Sequence, residues 1–130
     1  MEIKEAINIQ ISEAQDVYQT FKNLNKEEQE LFLVISLNTK NRIVNTHISS
    51  IGTLNCASIH PRDVFREAIR NNANSIIIVH NHPSGDSEPS TEDEQVTEKL
   101  FEAGELLGVK VLDHVVIGKE SYYSFQENKL

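Results

Sequence analysis

Cysteine occurs once in this chain, at Cys56. A lone thiol excludes an internal disulfide and any cysteine-rich metal pattern, and it fits a reducing cytoplasm. Long apolar runs are also missing: nothing approaches the roughly 20 residues that a membrane span needs. The opening MEIKEAINIQ alternates apolar with charged residues and has no apolar signal-peptide core. Basic clusters are scarce too. Against 12 Lys and Arg stand 20 Asp and Glu, a net charge of -8. Arg62, Arg66 and Arg70 share one helical face, but Asp63 and Glu67 dilute that stripe, so nucleic-acid binding through phosphates is disfavoured. There is no internal repeat, low-complexity tract or Pro/Gly-rich linker. What remains, 130 residues with 38% hydrophobic and 25% charged content, has the size and composition of one soluble globular domain.

Apolar periodicity then alternates between helix and strand. Ser12 with Gln15 has capping-box spacing and opens a helix expected to run to about Lys26, with Val17, Tyr18, Phe21 and Leu24 inward. ELFLVISL, residues 30–37, is strand-length and almost wholly apolar. After a turn, RIVNTHIS gives a second strand and completes a hairpin. Pro61 suits the first position of a helix carrying Val64, Phe65, Ala68 and Ile69. SIIIVH, residues 75–80, reads as a strand covered on both faces. A polar loop leads to a helix over 90–107, with Val96, Leu100, Ala103, Leu106 and Leu107 inward and Gly108 ending it. VKVLDHVVIG and SYYSF close the chain as strands. The order predicts an α/β domain with a mixed sheet covered by helices.

The chemistry concentrates in VHNHPSGDSEPSTED. His80 and His82 leave the carboxyl end of a buried strand, and positions i and i+2 point to one side, roughly 6.5–7 Å apart. Two imidazoles so placed can converge on one ion. Asp93 follows in the first turn of the next helix, and residues 83–89 are few enough to fold that turn back over the histidines. Two histidines and a carboxylate leave a fourth tetrahedral position for water, the arrangement of catalytic zinc. A proton acceptor is then needed. Asp86 and Glu88 lie in the loop, while Glu30 opens the first strand and has the firmer anchorage, with Glu27 and Glu28 nearby as alternatives. Taken alone, Ser90 and Asp93 also read as a helix cap with an acidic first turn.

His80-Asn-His-Pro followed by Ser90-x-x-Asp93 resembles the JAMM motif of JAB/MPN+ zinc metalloproteases. HNHPSGDSEPSTED, with SIHPRDVFREAI upstream and LDHVVIG downstream, more closely resembles the RadC family of bacterial JAB-domain proteins. The resemblance runs from about residue 25 to the end, leaving residues 1–25 as an N-terminal helical extension and 26–130 as the JAB domain. It implies a compact JAB/MPN α/β fold related to cytidine deaminases, and zinc-dependent cleavage of a peptide or isopeptide bond. It makes His80, His82 and Asp93 the zinc ligands, Glu30 the residue that deprotonates the bound water, and Ser90 a stabiliser of the oxyanion. His60 is expected to help cap its helix, His114 to stand behind the ligands or in the core, and His47 to be exposed.

The family's customary helix-hairpin-helix module has no counterpart in the 25 residues before the match. No insertion resembles the loops that clamp ubiquitin. Two other classes remain in view. One is a non-catalytic zinc-stabilised module in a DNA-repair or mobile-element-linked process, which would need neither Glu30 nor Ser90. The other, a nucleobase deaminase, expects His-x-Glu and Pro-Cys-x-x-Cys, which a chain with Cys56 alone cannot supply. A nuclease is opposed by Glu92, Glu94, Glu98, Glu102 and Glu105 beside the site.

Overall fold

A computed structural model describes residues 6–128; the first five residues of the N-terminal extension and the last two of the chain lie outside them. Helix α1 (Ala14–Phe21) continues as a 3-10 turn (Lys22–Lys26) into strands β1 (Leu31–Leu37) and β2 (Ile43–Ile51). A 3-10 turn (Cys56–Ser58) precedes α2 (Pro61–Arg70). Then come β3 (Ser75–Asn81), α3 (Thr91–Leu107), β4 (Lys110–Ile117) and β5 (Tyr122–Ser124). The sheet order is β2-β1-β3-β4-β5. β1 is antiparallel to both β2 and β3, β3 is parallel to β4 through the α3 crossover, and β5 returns antiparallel. The mixed sheet is the expected one.

Strand alternation sorts the core into two layers. Leu33, Ile35, Leu37, Ile77 and Val79 pack with Val17, Phe21 and Leu24 on the α1 face. Phe32, Val34, Ile76 and Ile78 pack with Val64, Phe65, Val96 and Leu100 on the α2/α3 face. Continuing the even-numbered series along β3 sends His80 towards α3. Both faces of β1 and β3 are covered, which is why these strands are continuous apolar runs.

Several expectations need correction. The α-helix expected over 12–26 spans only Ala14–Phe21 and continues as a 3-10 turn over Lys22–Lys26, with Ser12 and Glu13 outside it. Its N-cap is Glu13, and the third helical residue, Asp16, reaches back so that its carboxylate accepts the Ser12 and Glu13 N–H groups at 2.8 and 3.1 Å. A carboxylate in the first turn outcompetes the neutral Gln15 amide for those donors. Leu106 and Leu107 are not inward: they are 90% and 49% exposed, as Ile69 is at 54%. Helix α3 instead approaches the sheet through Gly104, where an added Cβ would lie 2.6 Å from the Val109 carbonyl oxygen. Leu106 falls about 200° further round the helix, and the chain turns away at Gly108, whose φ is +76°. His47 is half-buried rather than exposed, and burial pushes its pKa down. His60 occupies the N-cap of α2, yet its side chain makes no capping bond. The Asp63 and Val64 N–H groups donate to its carbonyl. No helix among the described residues is long and apolar enough to cross a membrane.

Candidate metal centre

β3 is the central strand, and its carboxyl end delivers His80 with 1% exposure. The His80 ring stands 6.1 Å from Phe32 and 4.9 Å from the His82 ring, which is turned 89° to it. Beyond β3 the chain stays tied to β4, because the His82 N–H donates to the Ile117 carbonyl at 3.0 Å. The loop then curls back on itself, with the Gly85 N–H donating to the His82 carbonyl at 2.9 Å. Gly85 has φ of +93°, a conformation that favours glycine. The loop packs on the β4–β5 turn without room for a side chain at Gly118, where a Cβ would meet the Gly85 oxygen at 2.5 Å. The Lys119 N–H bonds the same oxygen at 2.8 Å, and Ser87 meets Ser121 at 2.9 Å.

This path brings α3 over the histidines. His82 Nδ1–H donates to the Asp86 carbonyl at 2.8 Å, which turns Nε2 towards Asp93 Oδ2 at 3.0 Å. Asp93 Oδ1 lies 3.5 Å from His80 Nδ1. Ser90 and Asp93 form the helix cap, and forming it does not take Asp93 away from the histidines. Ser90 Oγ accepts the Asp93 N–H at 3.1 Å and the Ser90 N–H donates to Asp93 Oδ2 at 2.8 Å, while the same carboxylate touches both imidazoles. The capping box fixes the rotamer that presents Asp93 to the site.

Glu30 arrives from the opposite direction, just before β1, with Oε1 2.7 Å from His80 Nε2. Among the described residues, the candidate ligand atoms of Glu30, His80 and His82 all lie within 4.8 Å of one another. Asp93 joins them through its contacts with both rings. Glu27 and Glu28, the neighbouring glutamates, are exposed. Asp86 and Glu88 stay at the exposed loop surface.

The electrostatics follow from this geometry. The hydrogen bond to Asp93 raises the pKa of His82 against the opposing effect of burial. Burial pushes Asp93 upwards, but the His82 contact, the Ser90 N–H and the two imidazoles outweigh it and hold the carboxyl at about 2. Asp93 is therefore an anion at any ordinary pH. His80 Nδ1 is buried without a hydrogen-bond partner. Two imidazole nitrogens and two carboxylates, gathered at one strand end with an orphaned nitrogen among them, fit a divalent cation of the zinc type.

Two supporting residues, Thr97 and Asn81, are not singled out by the sequence. Thr97 Oγ–H donates to the Asp93 carbonyl at 2.7 Å, so its oxygen accepts from His114 Nδ1–H at 2.6 Å. His114 thus stands behind Asp93, fully buried, stacked on Phe125 at 4.9 Å and 5.9 Å from the His80 ring. The spacing of Thr97 four residues after Asp93 on one helix was the available signal. Asn81, between the histidines, was passed over because alternation turns it to the other face of the sheet.

A mixed sheet between helices, with His-x-His leaving its central strand and an aspartate in the first turn of the following helix, defines a JAB/MPN-type α/β domain. The chain belongs to the RadC-like JAB domain family, whose model matches residues 11–130. Among curated relatives, a UPF0758 protein of Chlorobium phaeovibrioides is 50% identical over 126 residues, covering 96% of this chain and 56% of the relative. One from Clostridioides difficile is 48% identical over 103 residues, 79% of this chain and 44% of the relative. One from Methanosarcina mazei is 46% identical over 118 residues, with 90% and 52% covered. The chain therefore spans about half the length of the curated relatives it matches.

Proposed function

We propose that this domain is a zinc-dependent hydrolase of JAMM type, a metallopeptidase or isopeptidase acting on a peptide or protein. The observation that carries this reading is the convergence of Glu30 from just before β1, His80 from the end of β3, His82 from just after it and Asp93 from α3 on one point. His80, His82 and Asp93 are the metal ligands. Zinc, when bound, polarises a carbonyl and lowers the pKa of a coordinated water towards about 7. Glu30 is 23% exposed at its side chain and abuts the histidine pair, so its carboxylate can take a proton from a water in the cleft and return it to the leaving nitrogen. Ser90 Oγ already accepts the Asp93 N–H, which leaves its own hydroxyl proton free to donate to a developing oxyanion. A purely structural metal site requires neither group. The net charge of -8 and the exposed glutamates of α3 favour a polypeptide over a nucleic acid as substrate.

Elemental analysis of protein purified away from chelators should find one zinc per chain, and His82→Ala should abolish it. Glu30→Gln should keep the metal while losing cleavage, seen by comparing N-termini and branched peptides in cells carrying wild type or the variant. Metal-free native protein would refute the proposal at its base.

A further inference from the structure

Asn81 is wholly buried on the face of β3 opposite the histidines. Its Oδ1 accepts the Leu31 N–H at 2.6 Å, and its Nδ2 donates to the carbonyls of Gln29 at 3.0 Å and Leu24 at 3.1 Å. The Gln29 carbonyl and the Leu31 N–H are the backbone groups on either side of Glu30. One side-chain amide therefore grips the main chain across Glu30, as a neighbouring strand would. It does so where the β1–β3 ladder has run out, while on the β2 side the Gly52 N–H still donates to the Glu30 carbonyl at 2.8 Å. The last β1–β3 pair at this end is Phe32 with His80, and Glu30 lies two residues beyond it.

We infer that Asn81 is the positioning residue for Glu30, setting the distance between its carboxylate and the imidazoles of the metal centre. The inference rests on the role given to Glu30 under the proposed function. The 2.7 Å contact between Glu30 Oε1 and His80 Nε2 then has both ends fixed by adjacent residues of β3: His80 supplies the ring, and Asn81 holds the backbone that carries the carboxylate. The chemistry requires an amide. The clamp needs one acceptor and two donors on a short stem, which aspartate, serine and apolar side chains lack. Glutamine has the groups but carries them one methylene too far. Alternation makes the arrangement work, since His80 and His82 face α3 while the residue between them faces the segment leading into β1.

The test uses Asn81→Asp, which keeps the acceptor and loses both donors, with Asn81→Gln in reserve should the aspartate variant fail to fold. Val79→Ala, buried on the same face of the same strand, controls for general destabilisation. In metal-free protein the imidazole nitrogen resonances of His80 and His82 report their contacts with Glu30 and Asp93. Asn81→Asp should abolish the His80–Glu30 signature, as Glu30→Gln does, and leave the His82–Asp93 signature intact. Val79→Ala should leave both. With Co2+ as probe, Asn81→Asp should still bind one ion per chain, while its visible spectrum shifts as that of Glu30→Gln shifts. A wild-type His80–Glu30 signature in a folded Asn81 variant, or its loss in Val79→Ala at equal stability, overturns the inference. Failure of wild-type protein to bind Co2+ overturns the metal reading instead, and the metal-free resonances still decide the clamp.

Discussion

His114 shows how one residue ties the site to the stability of the fold. Its ring is fully buried, and burial, with the neighbouring His80 charge, pushes its pKa down to about 3. The Thr97 hydroxyl proton is committed to the Asp93 carbonyl, so Nδ1 carries the imidazole proton and Nε2 is a bare acceptor, buried without a partner. In the unfolded chain the same ring takes up a proton below pH about 6.5. Between these values the unfolded state binds one proton more than the folded state, so the stability His114 confers is complete above about 6.5 and falls as pH drops towards 3. The slope approaches ~1.4 kcal/mol per pH unit. His114→Asn keeps a donor for Thr97 and cannot titrate. Urea unfolding of metal-free protein at pH 7 and pH 5 should show wild type losing about 2 kcal/mol more than this variant over that interval. Equal losses would mean that His114 is not held neutral.

At the scale of elements, the site depends on a loop whose path is set by contact with the β4–β5 turn. Gly118→Ala places a methyl 2.5 Å from the Gly85 oxygen and 3.0 Å from the Ser87 nitrogen, both backbone atoms that cannot rotate away. The loop must move, and with it the Asp86 carbonyl that fixes the His82 ring. Overpacking of this kind costs about 1–3 kcal/mol, and a displaced support weakens metal binding by about 10–100-fold. Thermal unfolding and chelator competition with Gly118→Ala would measure the two effects. Nothing in the sequence isolates Gly118 for this role, because the constraint comes from a segment more than 30 residues away. The gathering of His80, His82 and Asp93 was legible because it depends on local rules: alternation orients the two histidines, and helix capping places Asp93. Leu106 and Leu107 were misread for the opposite reason. Helical periodicity gives a stripe but not its width, and Gly104 narrows the contact by drawing α3 onto Val109 and Val111. Asp16 replaced the expected Ser12–Gln15 box because a capping pattern names the residue types and leaves the competition among neighbours to geometry.

At the scale of the whole molecule, the cation should act as part of the fold. The proposed ligands come from the end of β3, the residue after it and α3, Glu30 precedes β1, and the supporting bonds reach β4 through Ile117, so unfolding disperses every donor. A ligand bound only by the native state stabilises it by RT ln(1 + [L]/Kd), about 2.7 kcal/mol when free metal is a hundred times Kd. A domain of 130 residues unfolds with an entropy near 0.27 kcal/mol/K, taking about 2.1 cal/mol/K per residue. Dividing the first by the second gives a rise in Tm of about 10 °C over the chelated protein. The variants separate ligand from catalyst in the same measurement. His82→Ala should lose the whole increment, because it removes a donor that the native state alone assembles. Glu30→Gln should keep most of it, because His80, His82 and Asp93 still hold the ion. Calorimetry of the three proteins with and without zinc decides the matter: a wild-type Tm indifferent to zinc would remove the metal from the native fold, and an increment lost equally in both variants would make Glu30 a ligand rather than the proton carrier.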